Sequence, residues 1–185
     1  NGYWFTGNRR YLFFLNKYEY KVSKIYTGHL VPRFISYSGK LFGFDVQTFR
    51  EIRNFQMADT LFYYPSKGVI APNELGGIQV QNNVIIGAKI GTFIVSPQAS
   101  EIFSIKKVSD IGGRISLDKS QNIWICSSDK GAVCFLNKDT TFSNPLYFLS
   151  GKKTTITFQD NHFGYWFCTA GEGVFYLPTN HSIQY

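Results

Sequence analysis

An all-β fold built from repeated four-stranded units is what this sequence predicts, and three observations predict it. Aromatic residues make up 18% of the 185 residues, as 18 Phe, 12 Tyr and 3 Trp, beside a single Met. Aromatic and β-branched side chains suit a pleated, half-buried surface. No segment carries a convincing amphipathic helical period; Thr48–Asp59 comes nearest, and Asp45–Arg53, which overlaps it, reads better as a turn into an outer strand. A hairpin-like segment then recurs about every 40 residues, the signature of a repeat architecture.

The repeat is clearest in the C-terminal half. Asp118, Asn122, Trp124, Cys126 and Gly131 recur as Asp160, Gly164, Trp166, Cys168 and Gly173, an offset of 42 (166 − 124). Going backward, Asn83-Val84-Ile85-Ile86-Gly87 matches at an offset of 39 (124 − 85), with Ile85 in the Trp place. Phe42 of Gly39–Asp45 follows at 43 (85 − 42), and Trp4 of Gly2-Tyr3-Trp4-Phe5-Thr6 at 38 (42 − 4).

Each unit reads as a β-hairpin, an apolar strand around the Trp place, a polar or Gly-bearing turn, and a second apolar strand. Gly131 and Gly173 fall where a hairpin turn needs positive φ, which Gly adopts without steric cost. Along residues 123–128, Trp124 and Cys126 point one way and Ile123 and Ile125 the other, so both faces are apolar. A strand buried between two neighbouring sheets has that character. Strand-like runs at Tyr18–Tyr26, Phe49–Phe55, Glu101–Val108 and Leu146–Phe158 separate the hairpins, so each period supplies about four strands, one β-propeller blade. Residues 1–185 are therefore expected to form one β-propeller region of about 4.5 blades, with units near Trp4, Phe42, Ile85, Trp124 and Trp166. A β-sandwich has no such super-period.

Composition and motifs exclude several function classes. The net charge of +7 comes from scattered Lys and Arg, densest in the pairs Arg9-Arg10, Lys106-Lys107 and Lys152-Lys153, with no nucleic-acid-binding signature beside them. A solvated basic surface is the reading, with no nucleic-acid partner. Three Cys do not make a disulfide framework; Cys126 and Cys134 could meet across a hairpin, but free buried thiols are the favoured reading. His29, His162 and His181 are isolated, and neither metal-ligand spacing nor a Gly-x-Ser-x-Gly elbow occurs. His162 is read as a solvent-facing loop residue. Lys67–Gly77 lacks phosphate-loop spacing and reads as a loop between blades. No catalytic residue, metal or cofactor is expected.

Asp118 and Asp160 occupy equivalent places one blade apart, where an Asp before a turn bonds nearby backbone N–H groups rather than forming a catalytic pair. Trp124 and Trp166 read as inter-blade core ahead of sugar-stacking platforms. The distinctive departure is Arg9-Arg10-Tyr11, which stands in the turn place of the first hairpin. Two guanidinium groups beside an aromatic ring suit an anionic or saccharide ligand, and this edge is the candidate binding site.

Phe163-Gly164-Tyr165-Trp166-Phe167, running on to Leu177-Pro178, resembles the two-component regulator propeller repeat, as do Gly2–Thr6 and Asn122–Ser127. The units around Phe42 and Ile85 lack its Trp, and Asn122 replaces its usual Gly. The resemblance implies a periplasmic sensor region of a Bacteroidetes-type histidine kinase, joined to further propeller blades, a small β-sandwich, a membrane span and a kinase. The chain starts within a strand pattern at Asn1-Gly2-Tyr3-Trp4 without an initiator Met, so the expectation is a fragment of a larger sensor, a closed five-bladed ring being the alternative.

The functional expectation is thus an extracytoplasmic segment that senses a ligand or signal and does no chemistry itself. A small-molecule or oligosaccharide ligand, the rest of the sensor, and a dimer formed through the full-length protein are the partners compatible with it. The rivals are a secreted propeller enzyme of the lyase or glycan-hydrolase type, and a protein-docking propeller scaffold. An enzyme predicts a central cluster of His, Asp or Glu; a scaffold of the WD-repeat type predicts Gly-His and Trp-Asp pairs, which are absent.

Overall fold

The computed structural model describes residues 2–6, 11–19, 21–26, 33–37, 40–44, 48–53, 56–63, 76–97 and 103–178. They form eighteen strands in five antiparallel sheets. The first sheet is β1 (Gly2–Thr6), β2 (Tyr11–Asn16) and β3 (Val22–Tyr26). The second is β4 (Arg33–Tyr37), β5 (Lys40–Phe44), β6 (Thr48–Arg53) and β7 (Gln56–Tyr63). The third is β8 (Gly76–Val80), β9 (Asn83–Ala88), β10 (Gly91–Pro97) and β11 (Phe103–Ser109). The fourth is β12 (Arg114–Leu117), β13 (Ile123–Ser127), β14 (Gly131–Phe135) and β15 (Leu146–Phe148). The fifth is β16 (Thr154–Gln159), β17 (Tyr165–Thr169) and β18 (Val174–Leu177).

Every sheet is a meander of chain neighbours, and from the second sheet onward successive sheets meet chiefly through their first strands. β4 packs against β8, β8 and β9 against β12, and β12, β13 and β14 against β16. This is the blade-on-blade arrangement of a β-propeller, and its only helical element among the described residues is a 3-10 turn at Leu136–Lys138. The Trp place falls on the second strand of the second to fifth sheets, at Phe42, Ile85, Trp124 and Trp166, and on the first described strand of the first sheet, at Trp4.

Three details differ from the sequence reading. The first and last sheets have three described strands rather than four. Leu146–Phe158 is not one run: β15 closes the fourth sheet and β16 opens the fifth, the chain turning between them with Gly151 at φ 81° and the Lys152 N–H on the Leu149 carbonyl. Thr48 opens a third strand, not an outer one, because β6 pairs with β5 on one side and with β7 on the other.

Two apolar layers hold the better-described sheets together. Val80 and Ile85 of the third sheet meet Ile115, Ile123, Ile125, Val133 and Phe135 of the fourth, with Phe142 edge-on to Phe135 at 4.8 Å between centroids. Between the fourth and fifth sheets lie Trp124, Ala132, Cys134 and Phe167. β13 and β14 are buried along their whole lengths, so both of their faces are core. Fully burying such side chains contributes about 1.5–3 kcal/mol each, before the entropy cost of ordering them.

The backbones of the third and fourth sheets nearly touch. A Cβ on Gly87 would lie 2.2 Å from the Gly113 carbonyl oxygen, so no side chain fits between β9 and the entry to β12. Polar ties run alongside, the Gly113 N–H to the Ala88 carbonyl (3.0 Å) and Thr92 Oγ1 to the Ile111 carbonyl (2.8 Å).

Candidate functional site

The repeat's chemistry gathers at the turn between the first and second strands of the last two sheets. In the fourth sheet that turn is Asp118–Asn122. The Asp118 N–H donates to the Asn122 carbonyl and the Gln121 N–H to the Asp118 carbonyl, each at 3.1 Å, which sets Gln121 at φ 66°. The carboxylate then serves four donors. Oδ1 accepts the Asn122 N–H (2.8 Å); Oδ2 accepts Asn122 Nδ2 (2.9 Å), Trp124 Nε1 (2.9 Å) and, from the next sheet, the Tyr165 hydroxyl (2.7 Å).

This environment fixes the charge state. Burial by itself would push the Asp118 carboxyl up, but the Trp124 indole, the Asn122 N–H groups and the Tyr165 hydroxyl together hold it below the usual carboxylate range. Burial, and then the Asp118 charge, push the Tyr165 phenol well above its ordinary value, so it stays a neutral donor. A carboxylate with both oxygens engaged by four donors has no role as a proton acceptor for a substrate. It is a clip joining turn, indole and neighbouring sheet.

The fifth sheet repeats the clip with fewer partners. Asp160 Oδ1 accepts the N–H groups of His162 (2.8 Å) and Gly164 (2.9 Å), and Oδ2 accepts Trp166 Nε1 (3.0 Å). Phe163, in the place of Gln121, has φ 64°. The Trp166 indole, more than any other group, lowers the Asp160 carboxyl. Lys119 ties the two turns: its N–H donates to Gln159 Oε1 (2.9 Å), and its Nζ to the Asp160 carbonyl (3.0 Å) and Asn161 Oδ1 (2.7 Å).

The two tryptophans differ sharply. Trp124 is 2% exposed and packs against Phe148, Tyr165 and Phe167 with centroids at 5.2, 4.8 and 5.5 Å. Trp166 is 41% exposed, with its ring on Tyr176 at 4.5 Å. Among the described residues, no further sheet packs on the Trp166 face of the last sheet. Trp4 lies in β1 opposite Phe14. Gly131 and Gly173 have φ of 80° and 83°.

Arg9 and Arg10 lie outside the described residues, as do His29 and His181; Tyr11 opens β2. His162 is exposed. Cys126 lies opposite Ala132 and Cys134 opposite Trp124, so the two do not face each other, and all three Cys are free. Burial pushes the Cys126 thiol up, beside Thr157 Oγ1 at 3.0 Å, and pushes Cys134 up to about 12. Thiols so held are neutral and unreactive near pH 7. Among the described residues, no group of three or more His, Cys, Asp or Glu is placed to hold a metal ion.

Sequence reasoning missed Tyr165 as a partner of Asp118. The signal for it was the Tyr immediately before Trp in Tyr165-Trp166, which the alternation of strand faces aims away from that Trp and toward the preceding sheet.

No family model and no curated protein matches the chain. Solved structures do. Extracellular domains of two hybrid two-component systems from B. thetaiotaomicron superpose with TM-scores of 0.67 and 0.69 at 17% and 11% identity, over 95% and 94% of this chain. The chain spans about a quarter of each, 25% in both cases. Virginiamycin B lyase from Staphylococcus aureus matches over 95% of this chain and 65% of its own, at TM-score 0.58 and 11% identity. At these identities the likeness establishes a shared fold: this chain is a run of β-propeller blades.

Proposed function

We propose that this chain is an extracytoplasmic, periplasmic segment of a two-component sensor, and that it contributes to recognising a ligand or signal without catalysing a reaction. The likeness to the extracellular domains of two hybrid two-component systems, over nearly the whole chain, is the observation that carries this reading. The Asp118 clip supports it from within, since the best-formed polar cluster serves rigidity rather than proton transfer. A rigid blade stack positions its loops as a recognition surface, and the Arg9-Arg10-Tyr11 edge is the proposed contact for an anionic or saccharide ligand. In a histidine-kinase parent, ligand binding biases the arrangement of propellers, and so the output beyond the membrane.

The test is the melting temperature of the chain against a panel of anionic and neutral oligosaccharides. A recognised ligand at about 100 times its Kd stabilises the fold by about 2.7 kcal/mol, a rise of several degrees. Replacing Arg9 and Arg10 by Ala abolishes that rise if the edge is the site. The lyase likeness favours one rival, a propeller enzyme. Turnover of a ligand incubated with the purified chain overturns the sensor reading in its favour.

A further inference from the structure

From the second sheet onward the first strands pack on one another, so β4, β8, β12 and β16 form the inner edge of the blade stack, the edge that faces a propeller's central channel. The two ends of that edge differ in polar chemistry. Where β12 turns into β13 and β16 into β17, the Asp118 and Asp160 clips are closed networks, and Lys119 is engaged by the Asp160 carbonyl and Asn161. At the opposite end, where the first strands begin, cations outnumber their partners. Lys107, Lys130 and Lys152 are paired with Asp110, Asp129 and Glu172. The side chains of Lys89, Arg114 and Lys153 have no hydrogen-bond or ion-pair partner among the described residues.

Arg114 differs from the two lysines in being half-buried, whereas they are exposed. A guanidinium offers only donors, and one drawn partly out of water without an acceptor is incomplete. Strand register shows that its place is a repeated one. Arg114 stands two residues before Ser116, the partner of Trp124. The same place is Arg33 in β4, two before Ile35, the partner of Phe42. In β8 it is Gly76, and in β16 it is Ile156. Three consecutive first strands therefore carry Arg, Gly and Arg at one level. Gly76 adds no side chain there, and a Cβ on it would lie 2.8 Å from the Ile115 nitrogen, so β8 and β12 run backbone to backbone. The turn bearing Lys89 lies against the entry to β12, since a Cβ on Gly112 would lie 2.4 Å from the Lys89 carbonyl oxygen.

We infer that Arg33 and Arg114, flanking Gly76 where the first strands begin, form an anion seat at the inner edge of the stack. Its ligand is an oxyanion, a carboxylate, sulfate or phosphate group, borne by a saccharide or free. A guanidinium fork matches such a group with two parallel N–H bonds, and Lys89 and Lys153 add positive field around it. The seat is a different set of residues from the Arg9-Arg10-Tyr11 edge.

Isothermal titration of the chain at low salt, with trigalacturonate and separately with inorganic sulfate, tests this. The expected result is binding that Arg33→Gln and Arg114→Gln each weaken about tenfold or more, since each removes hydrogen bonds between charged groups. Lys89→Gln, at an exposed cation, weakens it about twofold. Arg114→Lys keeps the charge without the fork and retains only part of the affinity. Arg114→Gln leaves the melting temperature without titrant unchanged, because that side chain has no partner to lose among the described residues, so lost binding there is not lost fold. Trigalacturonate binding without sulfate binding assigns the seat to a saccharide-borne carboxylate; sulfate binding with the same losses assigns it to a bare oxyanion. No heat with either titrant, or binding that either Gln variant leaves intact, overturns the inference. Losses confined to Arg9→Ala and Arg10→Ala overturn it while upholding the edge proposed above. Turnover of trigalacturonate overturns the sensor reading and leaves the seat standing.

Discussion

Sheets four and five carry the same motif in two environments. Asp118 and Asp160 each cap a turn with a left-handed residue at its fourth place and each hold an indole, at 2.9 and 3.0 Å. The local geometry is thus set by the sequence of the turn and needs no neighbour. What the neighbour adds is tertiary: the fourth donor from Tyr165, aromatic contacts from Tyr165 and Phe167, and removal of Trp124 from water. The motif is a local clip whose contribution to stability depends on the next blade.

The sharpest way to break the comparison is to remove the rings. Trp124→Ala empties a packed inter-sheet layer, removes one of the three donors on Asp118 Oδ2 and is expected to cost about 3–5 kcal/mol. Trp166→Ala, on the open face, is expected to cost about 1 kcal/mol. Urea unfolding of both variants measures the difference; equal losses would mean that the indole matters through the turn and not through the blade interface.

Next in size is the clip. Asp118→Ala leaves the Trp124 indole, the Asn122 N–H groups and the Tyr165 hydroxyl without an acceptor in a buried place, an expected loss of about 3 kcal/mol. The same change at Asp160 is expected to be clearly smaller, because water replaces the lost acceptor. The carboxyl of Asp118 is lowered in the folded chain, so its stabilisation is complete above the ordinary carboxylate pKa of about 4 and is lost as pH falls through the depressed folded value. Melting temperatures taken from pH 6 down to pH 2 should fall along that limb, and Asp118→Asn should flatten it. An unchanged acid limb in that variant would assign the acid lability to other carboxylates.

The same contrast explains what could be read in advance. Period, hairpins and the Trp place were legible because they depend on alternation and turn chemistry, which are local: Trp124 and Trp166 fall on the second strands of successive sheets. The break within Leu146–Phe158 was not, since both halves are strand-like and only sheet membership separates them. Nor was the openness of the Trp166 face, because strand alternation reports which way a side chain points and not what lies there. Tyr165 sits between these cases: its direction follows from the pleat, whereas its bond to Asp118 needs the spacing of two sheets.

The smallest effect separates backbone conformation from crowding. Gly131 and Gly173 hold nearly the same φ, 80° and 83°, at equivalent hairpin turns. A Cβ on Gly131 would lie 2.4 Å from the carbonyl oxygens of Phe148 and Leu149, whereas one on Gly173 would meet nothing within 4 Å. Both Ala substitutions incur the left-handed strain of about 1–2 kcal/mol, offset in part by the stiffer unfolded chain. Gly131→Ala must also push back β15 and the turn after it, so about 2–3 kcal/mol is expected there and about 1 kcal/mol or less at Gly173. Thermal unfolding of the pair reads the gap directly. Its closure would mean that β15 yields freely, and that the outer edge of the fourth sheet is as loosely held as that of the fifth.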